Sequence, residues 1–132
     1  MTVVYTSSMA PPKDTRISWQ EVETQQLTPL IHRQFVSTQR VTVARFLLKK
    51  GMTVPEHSHE NEQIAYVLEG ALKFSFRDHE VVVRAGEMLV IPSDVPHAAT
   101  ALEDTLDLDI FAPARADWAA GRDGYLRGEN AK

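Results

Sequence analysis

The feature that most constrains this chain is a series of short runs in which apolar and polar residues alternate. In the clearest run, apolar Leu72, Phe74 and Phe76 alternate with polar residues, which is the period of a strand with one buried face. Glycine, proline or aspartate separates the runs at roughly 8–12 residues. This pattern predicts an all-β fold, an antiparallel sandwich or barrel. The strands are predicted at residues 41–48, 63–68, 72–77, 80–84, 88–91, 97–102 and 105–111, followed by a short helical segment at 115–120.

The length of the chain predicts a single domain. Its 132 residues would make two independent domains too small to bury a good core. The sequence has no cysteine, which excludes disulfide staples, thiol nucleophiles and cysteine-based metal sites. Pro11 and Pro12 disfavour regular structure near the start. We therefore predict a loose N-terminal arm at residues 1–14 and one barrel domain at 15–132, with a C-terminal tail at 118–127 that serves in packing.

Charge and hydropathy exclude two classes of partner. Fourteen basic and 18 acidic residues give a net charge of −4, so neither nucleic acid nor an anionic membrane is an expected partner. The longest apolar runs, such as Met88–Ile91, are far shorter than the ~20 residues of a spanning helix.

The first residues lack the features of a secretory signal. We expect a cytoplasmic protein that forms a homodimer through sheet edges and the N-terminal arm.

Three of the five histidines lie where they could share a metal ion. His57 and His59 are two residues apart, so on a strand both rings point to the same side. Gln63 has the same parity, whereas Glu62 should face away. His97 lies on a later strand, after a proline-bounded loop. Three imidazoles and an amide oxygen suit one divalent transition metal, although they do not distinguish iron, nickel, manganese, zinc and copper. The other two histidines, His32 and His79, are expected to be solvated and without function.

The residues around these histidines form two motifs separated by a short linker. The first contains Gly51, His57, His59, Gln63 and Gly70, and the second contains Gly86, Pro92 and His97. With both motifs present, the sequence resembles the cupin superfamily over roughly residues 41–113. The resemblance implies an antiparallel double-stranded β-helix, or jelly-roll barrel, that holds one divalent metal.

The sequence departs from the usual cupin motifs at three positions. Gln63 stands where the first motif usually has glutamate, and in the second motif Asp94 and Ala101 replace glycine and asparagine. The second pair should affect only loop geometry. A neutral amide at Gln63 gives the metal one less negative charge, so we expect a weaker and more Lewis-acidic site. Because imidazole ligands must be neutral, the metal affinity should fall below the free-histidine pKa of ~6.5.

A second group of candidate residues follows on the last predicted strand. Asp107, Asp109 and Phe111 share one face of this strand. That face is either an acidic surface in solvent or the lining of a cavity in a small barrel. In the second case an aspartate near a metal is a candidate base, and Arg115 is suited to pair with a substrate carboxylate.

The segment from Gln63 to Gly70, the histidine pattern and the residues from Asp109 to Arg115 together resemble one cupin subgroup. It is similar to the bacterial KdgF family, pectin-degradation cupins that open the ring of 4,5-unsaturated uronates. The resemblance implies that His57, His59, Gln63 and His97 hold the metal, and that Asp109, Phe111 and Arg115 complete a catalytic site for a small-molecule substrate.

Three functions remain open at this stage. The leading hypothesis is a metal-dependent lyase or isomerase that acts on a small oxygen-rich acid. The second is an iron or nickel dioxygenase for an aromatic or enediol substrate, which would consume oxygen. The third is a metal-assisted module that binds a small molecule and does not turn it over.

Overall fold

The computed structural model describes residues 4–6 and 9–128, and the remaining parts of the predicted arm and tail lie outside the described residues. The prediction of an all-β jelly roll with a short C-terminal helix is confirmed. The described residues contain ten strands, one α-helix and two 3₁₀ helices. The strands are β1 (Gln25–Thr28), β2 (Ile31–Ser37), β3 (Thr42–Leu48), β4 (Thr53–His57), β5 (Glu62–Glu69), β6 (Ala71–Ser75), β7 (Glu80–Arg84), β8 (Met88–Ile91), β9 (His97–Ala101) and β10 (Thr105–Ala112). The helix α1 spans Ala116–Ala119, and the 3₁₀ helices span Trp19–Glu21 and Gly124–Arg127.

The strands form two antiparallel sheets. The larger sheet has the order β1-β2-β3-β10-β5-β8, and the smaller has the order β4-β9-β6-β7. Inward side chains of both sheets belong to one core, which includes Phe35 and Phe46 of the larger sheet and Leu72 and Phe74 of the smaller one. Burying these apolar faces against each other drives the sheets together. The space between the two sheets is where the candidate site lies.

Two strands, β1 and β2, were not predicted from the sequence, and β4 was expected only as a strand of unstated bounds that carries His57 and His59. In β2 the inward position between Ile31 and Phe35 is occupied by Arg33, a charged residue that hides the alternation although it is only 1% exposed. In β4 the strand pattern is interrupted by Pro55. A proline is tolerated there because β4 lies at the edge of its sheet.

The C-terminal tail closes one end of the barrel with an aromatic cluster. Trp118 of α1 is 4% exposed and makes edge-to-face contacts with three inward-facing rings. The ring-centroid distances are 5.3 Å to Phe35, 6.0 Å to Phe46 and 5.1 Å to Phe111. The described part of the tail therefore packs against the barrel, and it also borders the cavity inside it.

A buried ion pair anchors this tail to the larger sheet. Arg33 Nη2 donates to Asp123 Oδ2 at 2.8 Å, and the guanidinium lies 4.5 Å from the Trp118 ring centroid. Burial lowers the pKa of Arg33, and the Asp123 carboxylate acts in the opposite direction. Arg127 also donates to Asp123, at 2.9 Å. Because both side chains of the first pair are buried, removing either would leave an uncompensated charge in the core.

Tyr5, in the described part of the N-terminal arm, pairs with the segment that precedes β1. Tyr5 forms a parallel bridge with Val22 and is 8% exposed. Its backbone N–H donates to the Glu21 carbonyl at 2.6 Å, and its carbonyl accepts from the Glu23 N–H at 2.8 Å. Among residues 4–6 and 9–128, no helix has the length and apolar character needed to cross a membrane.

Candidate metal centre and its cavity

The histidines of the two motifs converge at one place between the sheets. His57 at the end of β4 lies directly opposite His97 at the start of β9 in the strand register, and their ring centroids are 4.3 Å apart. The His59 ring centroid lies 5.1 Å from that of His97 and 5.7 Å from that of His57. One ligand nitrogen from each ring lies within 4.8 Å of the other two. These three histidines could therefore hold a metal ion, as predicted.

His59 reaches this cluster by a different route from the one that the parity argument assumed. Strand β4 ends at His57, so His59 lies in the connection to β5 and not on the same strand. Its backbone carbonyl accepts a hydrogen bond from the Asp94 N–H at 2.8 Å, which ties this connection to the loop before His97. Asp94, where the usual motif has glycine, adopts a φ of 62°, a left-handed conformation that aspartate tolerates better than most residues.

Backbone carbonyls fix the tautomer of all three imidazoles. The Nδ1 atoms of His57, His59 and His97 lie 2.8, 3.0 and 2.8 Å from the carbonyl oxygens of Pro55, Asn61 and Val95. A carbonyl can only accept, so each Nδ1 carries the proton and each Nε2 presents a lone pair. The buried Nε2 of His59 has no hydrogen bond of ordinary geometry among the described residues, although the Gln63 side chain lies close enough to raise the pKa of His59 slightly against burial. This arrangement is the one that metal-binding histidines usually show.

The protonation of these rings also suits metal binding. Burial lowers the pKa of His57 to about 3 and that of His59 to about 4, and it lowers the pKa of His97. The positive charge of Arg115 acts in the same direction on each ring. The three imidazoles are therefore neutral at neutral pH, which is the form that coordinates a metal. Their donor set fits a divalent first-row transition metal.

Gln63 joins the histidines from the larger sheet. It is 5% exposed, whereas its neighbour Glu62 is exposed, so the side assignment made from sequence parity agrees with the structure. In the register of β5 and β10, Gln63 lies directly opposite Phe111. The Phe111 ring in turn makes an edge contact with His59, with a centroid distance of 5.7 Å. Gln63 and Phe111 thus lie on the wall of the cavity that the histidines border.

The acidic face of β10 points into the barrel. Asp107 and Asp109 are 2% and 6% exposed and line the cavity, whereas the apolar side chains of the opposite face are half-buried on the outside of the sheet. Burial raises the pKa of Asp109 to about 6 and that of Asp107 well above its ordinary value, and the charge of Asp109 raises the pKa of Asp107 further. One oxygen of each carboxyl is buried without a hydrogen-bond partner among the described residues.

Asp107 was not among the predicted site residues, although it shares the face of Asp109. Its position two residues before Asp109 was the available signal. The sequence left open whether that face lay in solvent or in a cavity, and only the closed barrel resolves the question.

Arg115 lies in the cavity but is not a free cation. It is 2% exposed, and its Nε and Nη2 donate to the two carboxylate oxygens of Asp117 at 2.9 and 2.7 Å. The guanidinium carbon lies 4.6 Å from the Phe111 ring centroid and 4.4 Å from that of Trp118. The hydrogen bonds with Asp117 raise the pKa of Arg115 against the effect of burial. Its backbone N–H donates to Thr42 Oγ1 at 2.8 Å, which fixes the start of the tail.

Tyr125 of the tail is a cavity residue that the sequence analysis missed. Its ring packs against His57 with a centroid distance of 4.5 Å, and its hydroxyl accepts from Arg115 Nη2 at 2.7 Å. The sequence carried no motif around it, because the tail reaches the site only by folding back over the barrel. The predicted site residues do line this same cavity: His57, His59, Gln63, His97, Asp109, Phe111 and Arg115.

The two remaining histidines lie away from this cavity. His32 alternates with the inward residues of β2 and is half-buried on the outer side of the larger sheet. His79 is exposed in the turn before β7, where its ring stacks on Phe76 at 4.8 Å. Neither residue lines the cavity.

Comparison with protein families gives one match that spans most of the barrel. The family described as "Cupin domain" matches residues 44–112, which is more than half of the chain. Acireductone dioxygenase from Yarrowia lipolytica (strain CLIB 122 / E 150) is 38% identical over 53 residues. The match covers 36% of this chain and only 31% of that enzyme.

Solved structures show the same fold. KdgF from Halomonas sp. superposes with a TM-score of 0.69 and 31% sequence identity, over 75% of this chain and 94% of that one. An RmlC-like cupin from Shewanella frigidimarina NCIMB 400 superposes with a TM-score of 0.74 and 23% identity, over 83% of this chain and 99% of that one. The second likeness supports the fold alone.

Proposed function

Because this chain belongs to the cupin domain family and is similar to KdgF, we propose that it is a metal-dependent enzyme that opens the ring of an unsaturated uronate-like sugar acid. The observation that supports this proposal most directly is the composition of the cavity. A metal-type histidine cluster shares it with a buried carboxyl, Asp109, and a guanidinium, Arg115. A small molecule that carries hydroxyl groups and a carboxylate fits such a set of acceptors and donors.

In this proposal His57, His59, His97 and Gln63 hold one divalent metal. When bound there, the metal would supply Lewis acidity toward a substrate oxygen without a redox step. The hydrogen bonds of the three Nδ1 atoms to backbone carbonyls keep the imidazoles oriented, so the protein does not have to reorganise when the site is filled.

Asp109 is the proposed proton carrier. Ring opening requires that the hydroxyl on the anomeric carbon loses its proton, that the bond between this carbon and the ring oxygen breaks, and that the carbon end of the enol gains a proton. The product is a linear keto acid, and the reaction is an isomerisation with no other reactant. A carboxyl whose pKa is raised to about 6 can both accept and return a proton near neutral pH.

Phe111 and Arg115 are proposed to position the substrate. The Phe111 ring lies between His59 and the Arg115 guanidinium, with which it makes contacts of 5.7 and 4.6 Å. It therefore forms an apolar wall that excludes water from this side of the cavity. Arg115 is held in place by Asp117, and its Nη1 makes no hydrogen bond within the described residues, so it can donate to a substrate carboxylate.

Turnover of an unsaturated uronate, followed by the loss of its enol absorbance, tests this proposal. Asp109→Asn should lower kcat by about 10²–10⁴-fold, because it removes the proton carrier and keeps its shape. Metal content should not change, because Asp109 is not a proposed ligand. Asp78→Asn, in an exposed turn, is the matched control and should keep full activity. Full activity of Asp109→Asn, or no turnover of any unsaturated uronate by the wild type, would contradict the proposal.

A cupin dioxygenase is the second candidate. The local identity with acireductone dioxygenase favours it, as does the apolar part of the cavity wall, which includes Phe46, Leu48 and Met52. Oxygen consumption by iron- or nickel-loaded protein with an enediol or an aromatic diol would support this candidate over ring opening. A ligand that binds tightly but is neither isomerised nor oxidised would support the binding module instead.

We further propose that the outer face of the larger sheet binds a second copy of the chain. Met88 and Val90 of the edge strand β8 are 65% and 60% exposed, and they lie opposite Tyr66 and Ile64 of β5 in the register. An apolar, uncharged stripe is complementary to itself, and a stripe of this kind in water favours burial. Met88→Glu should convert a dimer into a monomer in light scattering; a wild-type monomer would contradict this.

The cytoplasmic location stays a prediction from the sequence.

A further inference from the structure

The hydroxyl of Tyr125 has an unusual set of partners. It accepts a hydrogen bond from Arg115 Nη2 at 2.7 Å and another from Trp118 Nε1 at 3.2 Å. A guanidinium and an indole N–H are donors only, so the Tyr125 oxygen must be the acceptor in both hydrogen bonds. Its own proton cannot point at either partner. Within the described residues, no atom accepts a hydrogen bond from this O–H.

This proton is present at neutral pH and lies at the cavity. A tyrosine hydroxyl, with an ordinary pKa of about 10, carries its proton at neutral pH. The residue lines the cavity, and its ring packs on His57 with a centroid distance of 4.5 Å and an interplanar angle of 31°. Tyr125 is half-buried, so the acceptor for its O–H must be water or a molecule in the cavity. The structure therefore presents a hydrogen-bond donor to whatever occupies the cavity beside the metal-type histidines.

The surroundings indicate the chemistry of that occupant. On the side of the tail the free polar groups are donors, namely the Tyr125 O–H and the Nη1 of Arg115. On the side of β10 they are the carboxyls of Asp107 and Asp109. Because Asp117 already balances the charge of Arg115 with two hydrogen bonds, an anion on the tail side would depend on neutral donors as well as on the cation. A carboxylate toward the tail and hydroxyl groups toward β10 match this division.

We propose that Tyr125 is a substrate-binding residue whose O–H donates to a carboxylate oxygen of an oxygen-rich acid, beside Arg115. This inference rests on the proposed function, because it names a further residue for the same substrate. It gives the tail a role besides packing: the 3₁₀ helix Gly124–Arg127, anchored by the Arg33–Asp123 ion pair, carries part of the binding site.

Binding of a charged and a neutral sugar to zinc-loaded protein tests the inference. The probes are D-galacturonate and D-galactose, which differ in the carboxylate, and the dissociation constants are measured by calorimetry. Tyr125→Phe keeps the ring and removes only the hydroxyl. It should weaken D-galacturonate binding by about tenfold or more and leave D-galactose binding within about twofold. Tyr5→Phe, at the bridge with Val22 and outside the cavity lining, is the matched control and should change neither.

The binding preferences of the wild type and of Tyr125→Phe separate a failure of this inference from a failure of the proposed function. If the hydroxyl only holds Arg115 and Trp118 in place, Tyr125→Phe lowers the melting temperature but leaves the preference for the acid unchanged, which overturns the inference. Near-UV circular dichroism and zinc content check that the variant is folded and loaded. If the wild type itself does not prefer D-galacturonate, the acid-binding part of the proposed function fails and this inference fails with it. Loss of the preference in Tyr125→Phe alone supports both.

Discussion

Metal binding should be nearly independent of pH between 7 and 5, which is the opposite of what free histidines would do. A histidine with a pKa of ~6.5 must lose a proton before it coordinates, so two such ligands would together lose about 600-fold in metal affinity over this range. In the folded chain, burial lowers the pKa of His57 to about 3 and of His59 to about 4. These values leave both rings neutral at pH 5, and the corresponding loss is only about 1.1-fold. The pKa of His97 is also lowered and acts in the same direction.

Metal affinity falls with decreasing pH only where the imidazoles of the metal-free protein become protonated. Because the folded pKa values lie below 6.5, protons compete with the metal only as the pH falls toward 4 and below. The fall in affinity below pH ~6.5 that the sequence predicts therefore moves to more acidic conditions. The physical cause is the desolvation of the imidazoles by their burial between the two sheets.

Zinc affinity measured at pH 7 and pH 5 checks this, by competition with a chromophoric chelator calibrated at each pH. Asp109→Asn is a useful second background, because the pKa of Asp109 is raised to about 6 and its titration falls in the same range. Tyr125→Ala removes the ring that packs on His57 and should restore part of the pH dependence. A loss of a hundredfold or more in both the wild type and Asp109→Asn would refute the argument from burial.

Three further predictions concern the site and the turn that supports it. The double variant His57→Ala/His97→Ala should lose its metal in elemental analysis after dialysis; full occupancy would refute the ligand assignment. Gln63→Glu should tighten zinc binding by about tenfold, since it adds a negative charge, while the exposed Glu62→Gln should have almost no effect; the reverse result would exchange their roles. Gly70→Ala should destabilise the protein in urea unfolding by more than the ~1–2 kcal/mol that a left-handed alanine costs. Its Cβ would clash with the Asp104 carbonyl oxygen, whereas Gly86→Ala, with nearly the same φ, meets open space; equal losses would show that the close approach does not matter.

Local alternation was enough to predict much of the fold and part of the site. Strands β7 and β8 have the predicted bounds, and the contrast between buried Gln63 and exposed Glu62 follows from the two-residue period of a strand. This period is fixed by backbone geometry and needs no knowledge of distant residues. The spacing of the histidines and glycines resembles that of the cupin motifs. It therefore also predicted that His57, His59 and His97 would lie together.

The sequence alone could not decide which face of β10 turns inward. Hydrophobicity favours Leu106 and Leu108 as the core face, yet the inward positions are Asp107 and Asp109. Strand β10 lies between β3 and β5, so its orientation is set by pairing with strands that are far away in the chain. Closing the barrel buries the two carboxyls and raises their pKa values.

The sequence alone also could not predict which residues of the C-terminal tail reach the cavity. The sequence determined the identities of the metal-type ligands and the alternation that forms the strands, since both are properties of neighbouring residues. The tertiary structure decided that Arg33 pairs with Asp123, and that Tyr125 reaches His57. The physical reason is that these contacts arise only when Trp118 fills the end of the barrel and brings the chain back over the cavity, a consequence of burial in the core that no local pattern records.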